Sequence, residues 1–206
     1  MKPLLITTLF LLLSITLSAQ KKKNKFVLDI TPNFTFNIEK FNQEATYDVY
    51  TFYRTDSLLV KQSKHDMYYW EVIRKEGTPM EKRRYYDIST GRLRIEVNYF
   101  YSCEVGITKE YNKSGQLIKE TDTDAAFKFS LRDVIKLIKR KFGVDMCIPN
   151  DGKSDKKDIY KGDSEYAVFF NTNYENEFSG PGNLIEIDTT TGEILYHKKD
   201  GVELIQ

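Results

Sequence analysis

The sequence predicts an α+β fold that is mainly antiparallel β. A meander of hairpin repeats comes first, then one amphipathic helix, then a C-terminal β-hairpin sheet. Three observations carry this. The stretch Arg84–Asp122 states one pattern twice, with Gly91 and Gly115 standing 24 residues apart. From Tyr47 to Asp122, short alternating runs are separated by turn residues. After that, the apolar period changes once, to helical spacing over Leu131–Phe142. Period-2 alternation marks a half-buried strand, and i, i+3, i+4 spacing marks an amphipathic helix.

Residues 1–19 read as a targeting segment. Lys2 precedes an apolar run from Leu4 to Leu17, and Leu17-Ser18-Ala19 ends in small residues. A signal peptide cleaved between Ala19 and Gln20 is expected, giving a periplasmic or secreted chain. The run is shorter than the ~20 residues a spanning helix needs, so no stable membrane insertion is expected after cleavage. Removing Lys2 from 31 basic residues leaves 30 against 30 acidic ones. A formally neutral chain is a poor sequence-independent nucleic-acid binder, which needs net or clustered positive charge.

The organisation expected after the signal is residues 20–122 as the meander and 123–206 as helix plus hairpins, with a shared core or two separate ones both open. Lys21–Lys25 is a basic tract. Phe26–Ile30 comes next, and Phe34–Ile38 alternates strictly and reads as a strand. Tyr47–Tyr53, Leu58–Gln62 and Tyr68–Ile73 continue the sheet, rich in aromatic and β-branched residues. The repeat then pairs Tyr86-Asp-Ile-Ser-Thr-Gly91-Arg-Leu93-Arg-Ile-Glu96 with Tyr111-Asn-Lys-Ser-Gly115-Gln-Leu117-Ile-Lys-Glu120. Each copy reads as a hairpin with glycine where the turn needs positive φ. The first turn holds one residue more than the second. Ser130 caps the helix Leu131–Phe142, Leu131, Val134, Ile135, Ile138 and Phe142 share its apolar face, and Gly143 ends it. Asn150–Asp158 is a polar loop whose order does not match a calcium loop. Tyr166–Thr172, the turn Ser179–Gly182, Leu184–Asp188, the turn Thr189–Gly192 and Glu193–Tyr196 complete the chain.

Arg84–Asp122 resembles the MORN-variant repeat, through Tyr86, Gly91, Leu93 and Glu96, then Gly106, Tyr111, Gly115, Leu117 and Glu120. The resemblance implies stacked hairpins, and many such proteins are antitoxin-like. The end of the chain resembles a PepSY-type domain through its helix and the phrase Ile187-Asp188-Thr-Thr-Thr-Gly192-Glu193-Ile194. That resemblance implies an exported, inhibitory or regulatory module.

No nucleophile elbow, metal-spaced His or Cys set, or nucleotide loop is present, and there are only two histidines. Neither a cofactor nor an enzymatic activity is expected. The expected function is non-catalytic binding of another protein, an effector toxin or a protease. An immunity or antitoxin-like protein neutralising a periplasmic effector leads. An envelope-associated structural protein and a PepSY-like inhibitor of an exported protease are the alternatives. Tyr85, Tyr99, Tyr101 and Tyr111 are the candidate aromatic anchors, with Glu104 and Glu110 adding charge. Cys103 and Cys147 form either a disulfide, which export permits, or two separate thiols.

Overall fold

The computed structural model describes residues 25–150, 156–171, 182–199 and 202–203. The targeting segment, the Ala19–Gln20 position and most of the Ser179–Gly182 turn lie outside the described residues.

Seven antiparallel strands make the first sheet: β1 (Val49–Thr55), β2 (Leu58–Lys64), β3 (Tyr68–Lys75), β4 (Met80–Asp87), β5 (Leu93–Phe100), β6 (Cys103–Tyr111) and β7 (Leu117–Asp122). They lie side by side in chain order. The repeat copies are the β4–β5 and β6–β7 hairpins. Tyr86 pairs with Leu93, and Tyr111 with Leu117. In both hairpins the register then slips by one residue, because Tyr85 faces Ile95 and Glu110 faces Lys119. A bulge adds one residue to one strand and so shifts which residues face inward. That is why the frame reads Leu-x-x-Glu rather than Leu-x-Glu. The extra residue brings Leu93 and Glu96, and likewise Leu117 and Glu120, to one face.

The turns close as the repeat requires. Gly91 and Gly115 have φ of +66° and +82°. Asp87 Oδ1 accepts from the backbone and hydroxyls of Ser89 and Thr90. Asn112 Oδ1 accepts from the backbone N–H of Ser114 and Gln116 across the shorter turn. The chain builds this device a third time. Asp188 Oδ1 accepts from Thr190 and Thr191, Gly192 has φ +77°, and Ile187 pairs with Ile194 before the same one-residue slip.

The second sheet has the order β12-β11-β10-β9-β8, from β8 (Lys157–Lys161), β9 (Glu165–Phe170), β10 (Asn183–Asp188), β11 (Ile194–Lys199) and the two-residue β12 (Val202–Glu203). Two helices accompany the sheets: α1 (Ile38–Glu44) and α2 (Leu131–Phe142). α2 has the expected bounds. The Ser130 side chain accepts from the Asp133 N–H, and Gly143 takes the left-handed conformation at φ +72°. Its apolar stripe packs with Ile159, Val168, Phe170, Ile185 and Ile187 of the second sheet. The same cluster contains Phe100, Cys103 and Val105 of the first sheet, so the described residues before and after residue 122 share one core. Asp158 adds a polar tie, accepting from the N–H and hydroxyl of Ser102 at 3.0 Å each.

The segment before β1 departs from the sequence expectation. Phe34–Ile38 is not a strand. Thr35 makes a single bridge to Arg92, and Asn37 then caps α1 by accepting from the Lys40 N–H at 2.9 Å. Phe36 and Phe41 bury into a second cluster with Tyr69, Tyr86, Leu93 and Tyr111. Phe26–Ile30, to which no strand is assigned from the sequence, joins no ladder. It runs as a strap over the sheet, burying Phe26 and Leu28 while Ile30 and Thr31 offer carbonyls to Arg84. The cysteines are separate thiols. Cys103 is buried inside the shared core and Cys147 is exposed beyond α2. Among the described residues, no helix is long and apolar enough to cross a membrane.

Candidate functional site

The two faces of the first sheet differ in kind. Both apolar clusters and the strap lie on one, here the inner face. Strand parity also places a row of polar residues there: Gln62, Glu71, Arg84, Glu96, Lys109 and Glu120, one from each strand β2 to β7 and directly opposed in register. Signs alternate from Glu71 onward. Arg84 Nε donates to Glu96 Oε2 at 2.7 Å, and its Nη1 to Glu71 Oε1 at 3.3 Å. Gln62 Nε2 and the Tyr86 hydroxyl also donate to Glu71, at 2.8 and 3.3 Å. Lys82 Nζ reaches Glu96 Oε1 at 3.3 Å. Burial pulls the Lys82 ammonium below its usual range, while the Glu96 carboxylate beside it works the other way. An alternating row of this kind keeps each buried charge compensated, which is the condition for charges to sit inside at all.

The outer face contributes no residue to either apolar cluster. It carries an ordered aromatic patch instead. Trp70, Tyr85 and Ile95 are opposed across β3, β4 and β5. His65 stacks on Trp70 with centroids 5.6 Å apart, and Tyr68 meets Tyr85 edge-on at 5.4 Å. The Arg83 guanidinium sits 3.9 Å from the Tyr99 ring centroid and 5.9 Å from that of Trp70. Glu81 pairs with both Arg83 and Arg74, which tethers the guanidinium beside the rings. The Tyr99 hydroxyl donates to Glu104 Oε1 at 2.8 Å. Burial, with that carboxylate, raises the Tyr99 pKa above its usual value, so the phenol stays protonated at neutral pH. Trp70 Nε1 has no hydrogen-bond partner.

The expected site residues separate accordingly. Tyr85, Tyr99 and Glu104 belong to this patch. Glu110 shares the face, but its carboxylate is bound to Lys119 Nζ at 2.9 Å. Tyr111 turns inward, 5% exposed in the second cluster. Tyr101 takes a positive φ of 55° in the β5–β6 turn and donates its hydroxyl to the Ile148 carbonyl at 2.9 Å, tying the sheet to the segment after α2. Parity separates these residues. The bulge and the turn place Tyr111 and Tyr101 off the outer face, and a list of tyrosines does not reveal that. His65 and Arg83 were not singled out from the sequence. Their signal was position, since Arg83 lies two residues before Tyr85 and so shares its face, and His65 precedes the Tyr68–Trp70 run. The basic face of α2 is partly paired, Lys136 with Asp133 at 3.3 Å and Lys139 with Asp145 at 2.7 Å.

Among the described residues, no group of three or more His, Cys, Asp or Glu side chains is arranged to hold a metal ion. Comparison with family models, with curated proteins and with solved structures finds no match in any of the three.

Proposed function

We propose that this chain is an exported, non-catalytic protein-binding protein that recognises a folded partner through the outer face of its seven-stranded sheet. The observation that carries the reading is the Trp70–Tyr85–Arg83–Tyr99 patch. Trp, Tyr and Arg are the side chains that most often anchor protein interfaces, and a patch already ordered in the free protein loses little conformational entropy on binding. The likeness of the repeat to antitoxin-like proteins and the N-terminal targeting pattern support the partner class. The partner is an effector protein reaching the periplasm, which this chain occludes as an immunity protein would.

The test is capture of a stoichiometric partner by the full-length chain, repeated with the double variant Trp70→Ala/Arg83→Ala. Capture of an effector by the wild-type chain, reduced at least about tenfold by the variant at unchanged thermal stability, is the expected result. Equal killing by that effector with and without this protein would sink the immunity reading. Capture of an exported protease through residues 124–206, indifferent to the variant, would replace it with protease inhibition. Retention by envelope fractions without a stoichiometric partner would replace it with a structural role.

A further inference from the structure

The outer face of the first sheet is uncovered, yet it is not built like a solvated face. Val72 and Val97 flank Arg83 on it and are each 3% exposed, although they belong to neither apolar cluster. Ile95 stands 38% exposed beside Tyr85. A sheet face meant for water alternates to polar side chains, and apolar area left open on one chain marks a contact surface.

Register sorts this face into rows that cross the strands. One row holds Arg74, Glu81, Tyr99 and Glu104, on β3 to β6. Another holds Trp70, Tyr85 and Ile95, on β3 to β5. Arg74 and Glu104 therefore share a level but stand three strands apart, about 14 Å at the usual spacing, too far to pair within one chain. Arg74 gives its Nε to Glu81 and keeps an exposed side chain. Glu104 is exposed, with Oε1 accepting from Tyr99. The basic end of the row thus lies on β3 and the acidic end on β6, a polarity that is complementary to its own reverse.

We propose that the outer faces of two copies of this chain pack on each other as an isologous dimer, with the two-fold axis parallel to the strands and between β4 and β5. That axis lays β4 of one copy over β5 of the other, and β3 over β6. Arg74 then meets the second copy's Glu104, twice by symmetry, and Tyr85 meets the second copy's Ile95. Overlap of the six strands β2 to β7, at about 4.8 Å per strand and about seven residues of 3.3 Å each, covers about 670 Å² per copy. The total of about 1,300 Å² lies within the roughly 1,200–2,000 Å² of stable interfaces. At a formal net charge of +1, no long-range repulsion holds two copies apart. The dimer covers the Trp70–Tyr85 patch, so it is a resting state that an effector must displace. It does not rest on that effector, and either reading can fail alone.

The test is sedimentation velocity of the full-length chain at micromolar concentration, where wild type is expected to be dimeric. Arg74→Glu and Glu104→Arg each set like charges against each other at both contacts, and each is expected to weaken the dimer at least about tenfold. Both side chains are exposed, so the thermal midpoints should stay unchanged. Mixed in equal amounts, the two variants are expected to form a heterodimer, because both contacts then regain opposite signs. A monomeric wild type overturns the proposal. So does a dimer indifferent to both reversals, as pairing along the free edge of β7 would give, or a mixture that stays monomeric. A monomer that captures an effector through Trp70 and Arg83 sinks the dimer alone. A dimer that shows the charge rescue and captures nothing sinks the effector reading alone.

Discussion

At the scale of single residues, the molecule is governed by a few positions with no tolerance. Arg84 is the first. Its side chain is fully buried between Glu71 and Glu96 and also holds the strap. Truncating one member of a buried charge set leaves the others uncompensated, at a cost of about 3–5 kcal/mol. Arg84→Met is expected to lose that much in urea unfolding, a larger effect than removal of any exposed ion pair such as Lys136–Asp133. The turn glycines make a finer comparison. Gly91 and Gly115 share a left-handed backbone, but a Cβ at Gly91 would meet the Phe36 carbonyl at 2.9 Å, while at Gly115 it meets nothing within 4 Å. Gly115→Ala is expected to cost only the backbone strain, about 1 kcal/mol. Gly91→Ala should cost visibly more in the same melts. Equal costs would show that the Phe36 contact yields freely. Neither the ladder nor the Phe36 contact was legible in the sequence. Lys82, Arg84, Glu96 and Asn98 occupy inward strand positions, where period-2 reasoning expects apolar side chains.

Elements were more legible, and the exceptions have physical causes. The seven strands of the meander and the full extent of α2 follow from periodicity and capping residues in the chain. α1 did not, because seven residues with one buried side chain, Phe41, are too few to display a helical period. β8 was not foreseen, and its first two residues fall at the end of the stretch Asn150–Asp158 read as polar loop. Lys157 and Asp158 begin it, Lys157 nearly buried and Asp158 turned to bind Ser102. The hairpin turns yield a pH dependence. Hydroxyls of Ser89 and Thr90 hold Asp87 well down, at about 2, and backbone and hydroxyl donors of Thr191 depress Asp188 as well. An unfolded aspartate titrates near roughly 3.9. These groups therefore bind protons more readily when unfolded. Their stabilisation is complete above the unfolded value and is lost as pH falls through the folded one. Urea midpoints are expected to fall between about pH 5 and pH 2. The slope should be shallower in Asp87→Asn/Asp188→Asn, and an unchanged slope would assign the acid sensitivity elsewhere.

At the scale of the whole molecule, the shared core decides how it unfolds. Phe100, Cys103 and Val105 of the first sheet sit in one cluster with α2 and the second sheet. One cooperative transition is expected, with tyrosine fluorescence and far-UV ellipticity coinciding; two separated transitions would divide the chain near residue 122. The thiols offer a second readout. Cys147 is exposed, whereas burial pushes the Cys103 thiol up to about 12 and closes it to reagents. One thiol should react with maleimide at once and the second only at the rate of global opening. The sheet order has a further consequence, for how such a chain can change in length. Every strand of the first sheet pairs only with its neighbours in sequence, and its last hairpin ends on β7, whose residues are all exposed. A duplicated stretch of some 24 residues, the Gly91–Gly115 interval, can therefore dock on that free edge without re-threading any existing strand. The meander is an additive ruler, and its breadth can drift by whole hairpins while the core beside β6 stays untouched.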